Sequence, residues 1–137
     1  MRTITPILQY VDCVRISVPN LEKGLSFYRD CLGHKMLWRM KDYIGLQMPD
    51  TKTEIVLDTH PHAPEIFMRV QAVEAAVNQI TAIGGKIIVP PYEIEIGLCA
   101  VVQDPWGNQF TILDISKGLL VTDADGNVTG TKKSKTL

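Results

Sequence analysis

Between positions 12 and 18 apolar and polar residues alternate. Val14, Ile16 and Val18 fall on one side of an extended chain, and Cys13, Arg15 and Ser17 on the other. That two-residue period is the mark of a strand with one buried face. Past Pro19 the period changes. Leu21, Leu25, Tyr28 and Leu32 recur at helical spacing, Asn20 can cap the first turn, and Gly33 suits the position beyond the last. The pattern then predicts three strands over 35–40, 43–48 and 53–58.

The same order returns. A strand is predicted over 65–70 and a helix over 73–83, with Val73, Val77 and Ile80 as its apolar stripe and Gly84-Gly85 as its stop. Strands over 86–89, 98–103 and 109–115 complete the second set. An offset of 52 superimposes the first strand and helix of the two halves without a gap. Val14 falls on Ile66, Val18 on Val70, Leu21 on Val73, Leu25 on Val77, Tyr28 on Ile80 and Gly33 on Gly85. Two unrelated strand–helix units could align this way, but coincident helix stops favour a duplicated βαβββ unit. The expected fold class is α+β, two such modules forming an open, cup-like mixed sheet.

In such a unit one strand face packs on the helix. Val14, Ile16, Val18, Ile55, Leu57, Ile66, Met68, Val70, Phe110 and Ile112 make that face apolar. The opposite face is mixed: Cys13, Arg15 and Ser17, then Glu54, Val56 and Asp58, Glu65, Phe67 and Arg69, and Gln109, Thr111 and Leu113. A mixed concave wall suits a small-molecule pocket. It equally suits a sheet face open to water. Periodicity does not choose between them.

Composition narrows the classes. With 137 residues, 45% of them hydrophobic and 21% charged, one soluble globular domain is expected. Fourteen basic against fifteen acidic residues give a net charge of −1, which argues against nucleic-acid and membrane partners. The run Lys132-Lys133-Ser134-Lys135 reads as a solvated end. No leader-like start or membrane-length apolar run is seen, and Cys13, Cys31 and Cys99 form no C-x-x-C pair. A reduced, cytoplasmic setting is expected. Residues 1–116 are expected as one domain, with modules over 11–60 and 65–116, and 117–137 as a hairpin and flexible tail. The string Asp123-Ala124-Asp125-Gly126-Asn127 lacks the distal glutamate of a calcium loop and reads as the hairpin's turn.

Asp104-Pro105-Trp106-Gly107-Asn108, between two apolar runs, is a strand–turn–strand signal. With Val14-Arg15-Ile16-Ser17-Val18-Pro19-Asn20-Leu21 and Phe27-Tyr28-Arg29-Asp30-Cys31-Leu32-Gly33, it resembles the vicinal-oxygen-chelate superfamily. That superfamily holds glyoxalase I, the bleomycin- and fosfomycin-resistance proteins and the extradiol dioxygenases. The resemblance covers about residues 11–116. It implies paired βαβββ modules, a homodimer, and a metal held by His, Glu or Gln on the first and last strand of each module.

Carried over position by position, those ligands fall on Cys13, Val56, Glu65 and Thr111. Valine offers no donor and threonine a poor one. No metal or other cofactor is therefore expected, and glyoxalase I activity, which needs a metal and a base, is not expected either. A displaced metal site from Asp58, His60 and Glu65 is the exception considered, against a plain solvated linker. His34, just past Gly33, is expected to meet the last helical carbonyls. Arg15 and Arg69 either form cross-strand ion pairs with Glu54, Asp58 or Glu65, or grip an anionic ligand. In the second case Phe67, Val56, Leu113 and Trp106 supply apolar contact, and Cys13, Gln109 and Thr111 complete the wall. The expected function is binding of a small organic molecule in the cup. The alternative is a related enzyme, a lyase, isomerase or dioxygenase, with displaced ligands or with Glu65 as a metal-free base. A cup filled by its own side chains is the bland third case.

Overall fold

The computed structural model describes residues 5–133. Residues 1–4 and 134–137 lie outside it, and with them the end of the expected flexible tail and of the basic run. The first module is β1 (Tyr10–Ser17), α1 (Leu21–Leu25), β2 (Met36–Arg39), β3 (Tyr43–Gln47) and β4 (Glu54–Asp58). The second is β5 (Glu65–Arg69), α2 (Val73–Ala82), β6 (Lys86–Glu93), β7 (Leu98–Gln103) and β8 (Gln109–Leu113). A hairpin of β9 (Leu119–Thr122) and β10 (Val128–Lys132) follows.

Eight strands form one mixed sheet in the order β2-β3-β4-β1-β5-β8-β7-β6. The modules meet through the antiparallel β1–β5 pair, while β1–β4 and β5–β8 are parallel. One chain thus builds the whole cup. The α+β fold class read from the pattern is the observed one.

The first helix differs from its expected form. Asn20 does cap it, its side chain accepting from Lys23 N at 2.8 Å. After Leu25, however, the chain widens into a π-helical segment, Ser26–Cys31, in which Leu32 N donates to Phe27 O, five residues back, at 3.0 Å. Gly33 closes it at φ +86°, a conformation that glycine alone adopts without strain. His34 bonds Gln47 O of β3 at 2.9 Å, not a helix carbonyl. β6 runs four residues beyond its expected end. It lies at the sheet edge, where Pro90 and Pro91 interrupt no ladder on the open side.

Three apolar clusters hold the fold. Leu21 and Leu25 pack on Ile44, Leu46, Ile55 and Leu57 in module one. Val73, Ala76 and Val77 pack on Ala100, Val102 and Ile112 in module two. The third lies on the concave side: Cys13, Val56, Phe67, Cys99 and Leu113, with Trp38, Tyr43, Ile94 and Ile96 packed against them.

A buried carboxylate locks module two. Asp114 accepts from Val73 N at 2.9 Å, Leu98 N at 3.0 Å, Ser116 N at 3.1 Å and Ser116 Oγ at 2.7 Å. It thereby caps α2, whose own N-cap residue is Ala72 and has no side chain to do so.

Candidate functional site

Register decides what faces the hollow. Cys13 stands opposite Phe67 and beside Glu54; Arg15 stands opposite Glu65 and beside Val56; Phe67 lies beside Thr111. The centre of the floor is therefore Cys13, Val56, Phe67, Thr111 and Leu113, all buried. The tip of the hairpin crosses to β2, where Arg39 N donates to Gly126 O at 2.8 Å and Arg39 bridges Asn127. Leu120 of β9 and Ile96 are common to the walls of two neighbouring cavities in the hollow.

The first compartment, of about 400 Å³, is lined by Arg15, Tyr43, Tyr92, Ile94, Ile96 and Leu120, among others, with the carboxylates Glu93 and Glu95 also on its wall. Arg15 is its centrepiece. The guanidinium lies between two rings, with its carbon 4.8 Å from the Tyr43 centroid and 4.7 Å from that of Phe67. Its Nε is buried and has no hydrogen-bond partner, although Asp58 Oδ2 is 3.4 Å away. Asp58 of β4 thus pairs with Arg15 across neighbouring strands, one of the two arrangements expected for this arginine, and it has further partners. It accepts from His62 Nε2 at 2.9 and 2.8 Å and from His60 N at 3.0 Å.

His62 is held at both nitrogens. Nδ1 lies 2.6 Å from Ala63 O and 3.3 Å from Glu65 Oε1. The Ala63 carbonyl raises its pKa most, burial opposes this, and Asp58 and Glu65 add to the rise, so the net shift is upward. Both nitrogens face oxygen acceptors, which leaves neither turned toward the hollow as a metal ligand. His62, not His60, is thus the histidine that joins Asp58 and Glu65. His60 sits beside Tyr43, ring centroids 6.2 Å apart.

Glu93 on the rim pairs with Lys117 at 3.1 Å. Burial pushes the Cys99 thiol to about 11 and the Tyr92 hydroxyl to about 12, so both stay neutral near pH 7.

The second compartment, of about 280 Å³, is lined by Asp12, Trp38, Glu54, Arg69, Leu119 and Thr122, among others. Arg69 is not free there. Its Nε and Nη2 donate to Asp12 Oδ1 at 3.1 and 2.7 Å. Trp38 lies flat over Gly45, where any Cβ would collide with the indole, and its Nε1 donates to Glu54 Oε1 at 2.7 Å. Burial raises the Glu54 pKa; the Trp38 bond and the more distant Arg69 lower it less, and Asp12 adds to the rise.

The remaining expected wall residues scatter. Thr111 and Leu113 are buried in the floor. Gln109 bonds Gln103 at 3.1 Å and lines a separate shallow depression with Pro64, Ile66 and Phe110. Trp106 does not reach the cup: it stands 83% exposed on its turn, which Asp104 stabilises by accepting from Trp106 N, Asn108 N and Asn108 Nδ2. Asp12, Trp38, Tyr43, Tyr92, Ile96 and Leu120 are the wall residues that pattern reading misses. Gly45 inside a strand is a signal of close approach that points to a covering ring. The apolar run at Leu119–Val121, past the expected domain end, is a second.

Do the family's metal positions fit a metal here? Val56 has no donor atom. Burial drives the Cys13 thiol far above its ordinary pKa, so it stays a poor, protonated ligand. Thr111 is packed beside Phe67, and Glu65 pairs with His62 and lines the depression at Gln109, not either compartment. The donor set does not fit. Among the described residues no group of three His, Cys, Asp or Glu side chains is arranged to hold an ion.

The family model of the Glyoxalase/Bleomycin resistance protein/Dioxygenase superfamily matches residues 9–112. The chain belongs to that superfamily. No significant match to a curated protein was found. Among solved structures, methylmalonyl-CoA epimerase from Mycobacterium tuberculosis is similar at a TM-score of 0.71 and 15% identity, covering 84% of this chain and 93% of that one. A Streptomyces coelicolor methylmalonyl-CoA epimerase variant aligns at 0.67 and 14%, over 80% and 99% of the two chains. A Legionella pneumophila structure described as NAD-dependent benzaldehyde dehydrogenase aligns at 0.63 and 20%, over 76% and 98%. At these identities the likeness is one of fold. No helix among the described residues is long and apolar enough to cross a membrane.

Proposed function

We propose that the protein binds a small organic anion, a carboxylate on an apolar or aromatic body, in the compartment at Arg15, and needs no metal ion to do so. Arg15 is the observation that carries this. Its guanidinium is fixed between Tyr43 and Phe67 at a cavity wall and makes no hydrogen bond among the described residues. The carboxylate that pairs with it, Asp58 at 3.4 Å, is shared with His62. A partly dry cation with unused donors favours a ligand carboxylate, which can take two of them. Tyr43, Ile94, Ile96 and Leu120 supply the apolar surround, and the volume suits a ligand of modest size.

In this reading residues up to about 116 form the domain, the hairpin is its roof, and the protein works in the cytoplasm as a homodimer whose cups are each built by one chain. The enzymatic alternative draws support from the epimerase neighbours. Its proposed base, Glu65, has a side chain 46% exposed, occupied with His62 and outside the Arg15 compartment, which favours binding over proton transfer.

Crystals soaked with benzoate test the proposal. A carboxylate within hydrogen-bond distance of Arg15 supports it. Benzoate lodged elsewhere, or bound equally in Arg15→Met, overturns it.

A further inference from the structure

Glu54 sits in the second compartment with an imbalance of charge around it. Arg69, the cation lining that space, spends two donors on Asp12 Oδ1, so those two residues neutralise each other. Glu54 receives one hydrogen bond from a neutral group, Trp38 Nε1, on one oxygen. Its charge is the uncompensated one in a cavity of about 280 Å³. Burial is the main cause of the upward pull on its pKa; Asp12 adds to it, and the Trp38 bond and Arg69 oppose it. Trp38 packs its indole on Gly45 and lines the same cavity. Indole is the best aromatic surface for a cation. A carboxylate and an indole bonded to each other and opening on one hollow make a built recognition surface for positive charge.

We propose that this second compartment is a binding site for a small organic cation, a primary or substituted ammonium group held by Glu54 against the Trp38 ring. The site is separate from the one at Arg15. Ile96 and Leu120 belong to both walls; beyond them Arg15, Glu93 and Glu95 line one compartment and Asp12, Glu54 and Arg69 the other. This inference rests on the cup taking small molecules, but not on Arg15.

Indole NMR signals test it directly, because the chain has two tryptophans and Trp106 stands exposed on a different part of the fold. The ¹⁵N-labelled protein is titrated near pH 7 with benzylamine hydrochloride, benzyl alcohol and sodium benzoate in turn, with Trp106→Phe to assign the peaks. Benzylammonium should shift the Trp38 Nε1–H peak saturably and leave that of Trp106 in place. Glu54→Gln keeps an oxygen for Trp38 and should weaken benzylammonium by about tenfold or more, the loss expected for a charge-assisted contact. Benzoate should leave the Trp38 peak unmoved. The inference is overturned if benzylammonium gives no saturable shift, if Glu54→Gln binds it as well as the parent, or if benzyl alcohol or benzoate moves Trp38 equally. Failure of benzoate to bind at Arg15 would sink the anion reading alone.

Discussion

Cys13 and Phe67 face each other across the β1–β5 pair, at the seam where the two modules join. Both are buried, in one cluster with Val56, Cys99 and Leu113. The middle of the cup is therefore a core, and its open space is pushed to two flanks. Of the four positions where the family holds a metal, Cys13 is a protonated thiol, Val56 has no donor, Thr111 is packed beside Phe67 and Glu65 bonds His62. The open space of the hollow lies on the Arg15 flank and the Glu54 flank.

The thiols should differ sharply in reactivity. Burial raises the pKa of Cys13 and Cys99, whereas Cys31 is exposed. The thiolate is the reacting species, so iodoacetamide should modify Cys31 alone in the native protein. Mass spectrometry of digested, labelled protein checks this, and modification of Cys13 without unfolding would contradict it.

Gly45→Ala should dislodge Trp38. A methyl group there collides with the indole ring and breaks its bond to Glu54. A loss of about 1–3 kcal/mol in urea unfolding is expected, together with a shifted Trp38 indole peak.

Asp114→Ala should be more damaging, by about 3 kcal/mol or more, since three backbone N–H groups and Ser116 Oγ lose their acceptor. Burial alone would raise this carboxyl's pKa, but the bonds from Val73, Ser116 and Leu98 outweigh it and the net shift is downward. A depressed folded pKa gives stability that is full above the unfolded value, about 3.9, and is lost as pH falls through the folded one. The gap between parent and variant should narrow on acidification below that value. Urea midpoints down the acid range measure it.

His62 should act in the opposite sense. Its pKa is raised, chiefly by the Ala63 carbonyl and then by Asp58, so its stabilising effect is full below the unfolded value, about 6.5. That effect disappears as pH rises through the higher folded value. Unfolding midpoints of the parent should fall over this window relative to His62→Gln. Parallel curves for the two proteins would contradict the clamp on Asp58.

The repeat could be read because strand parity and helix stops are local: Val14 maps on Ile66 and Gly33 on Gly85 without any knowledge of packing. Much of the wall could not, because parity fails at irregular pairing. The register of β1 against β5 slips between Val11 and Cys13, which brings Asp12 as well as Arg69 to the second compartment. A similar slip in β2 lets Leu37 and Trp38 both line it. His62 replaces His60 for a related reason. The linker is not extended there, so alternation in sequence says nothing of which ring turns toward Asp58. Leu120 arrives from a hairpin far along the chain, which no window of sequence relates to Arg15.

Calorimetric titration with benzoate, with and without a strong chelator, on the parent and on Arg15→Met, tests the central claim most directly. A metal-free site built on one guanidinium predicts the same affinity with chelator and a loss of about tenfold or more in the variant. Binding abolished by the chelator, or undiminished without Arg15, would contradict it.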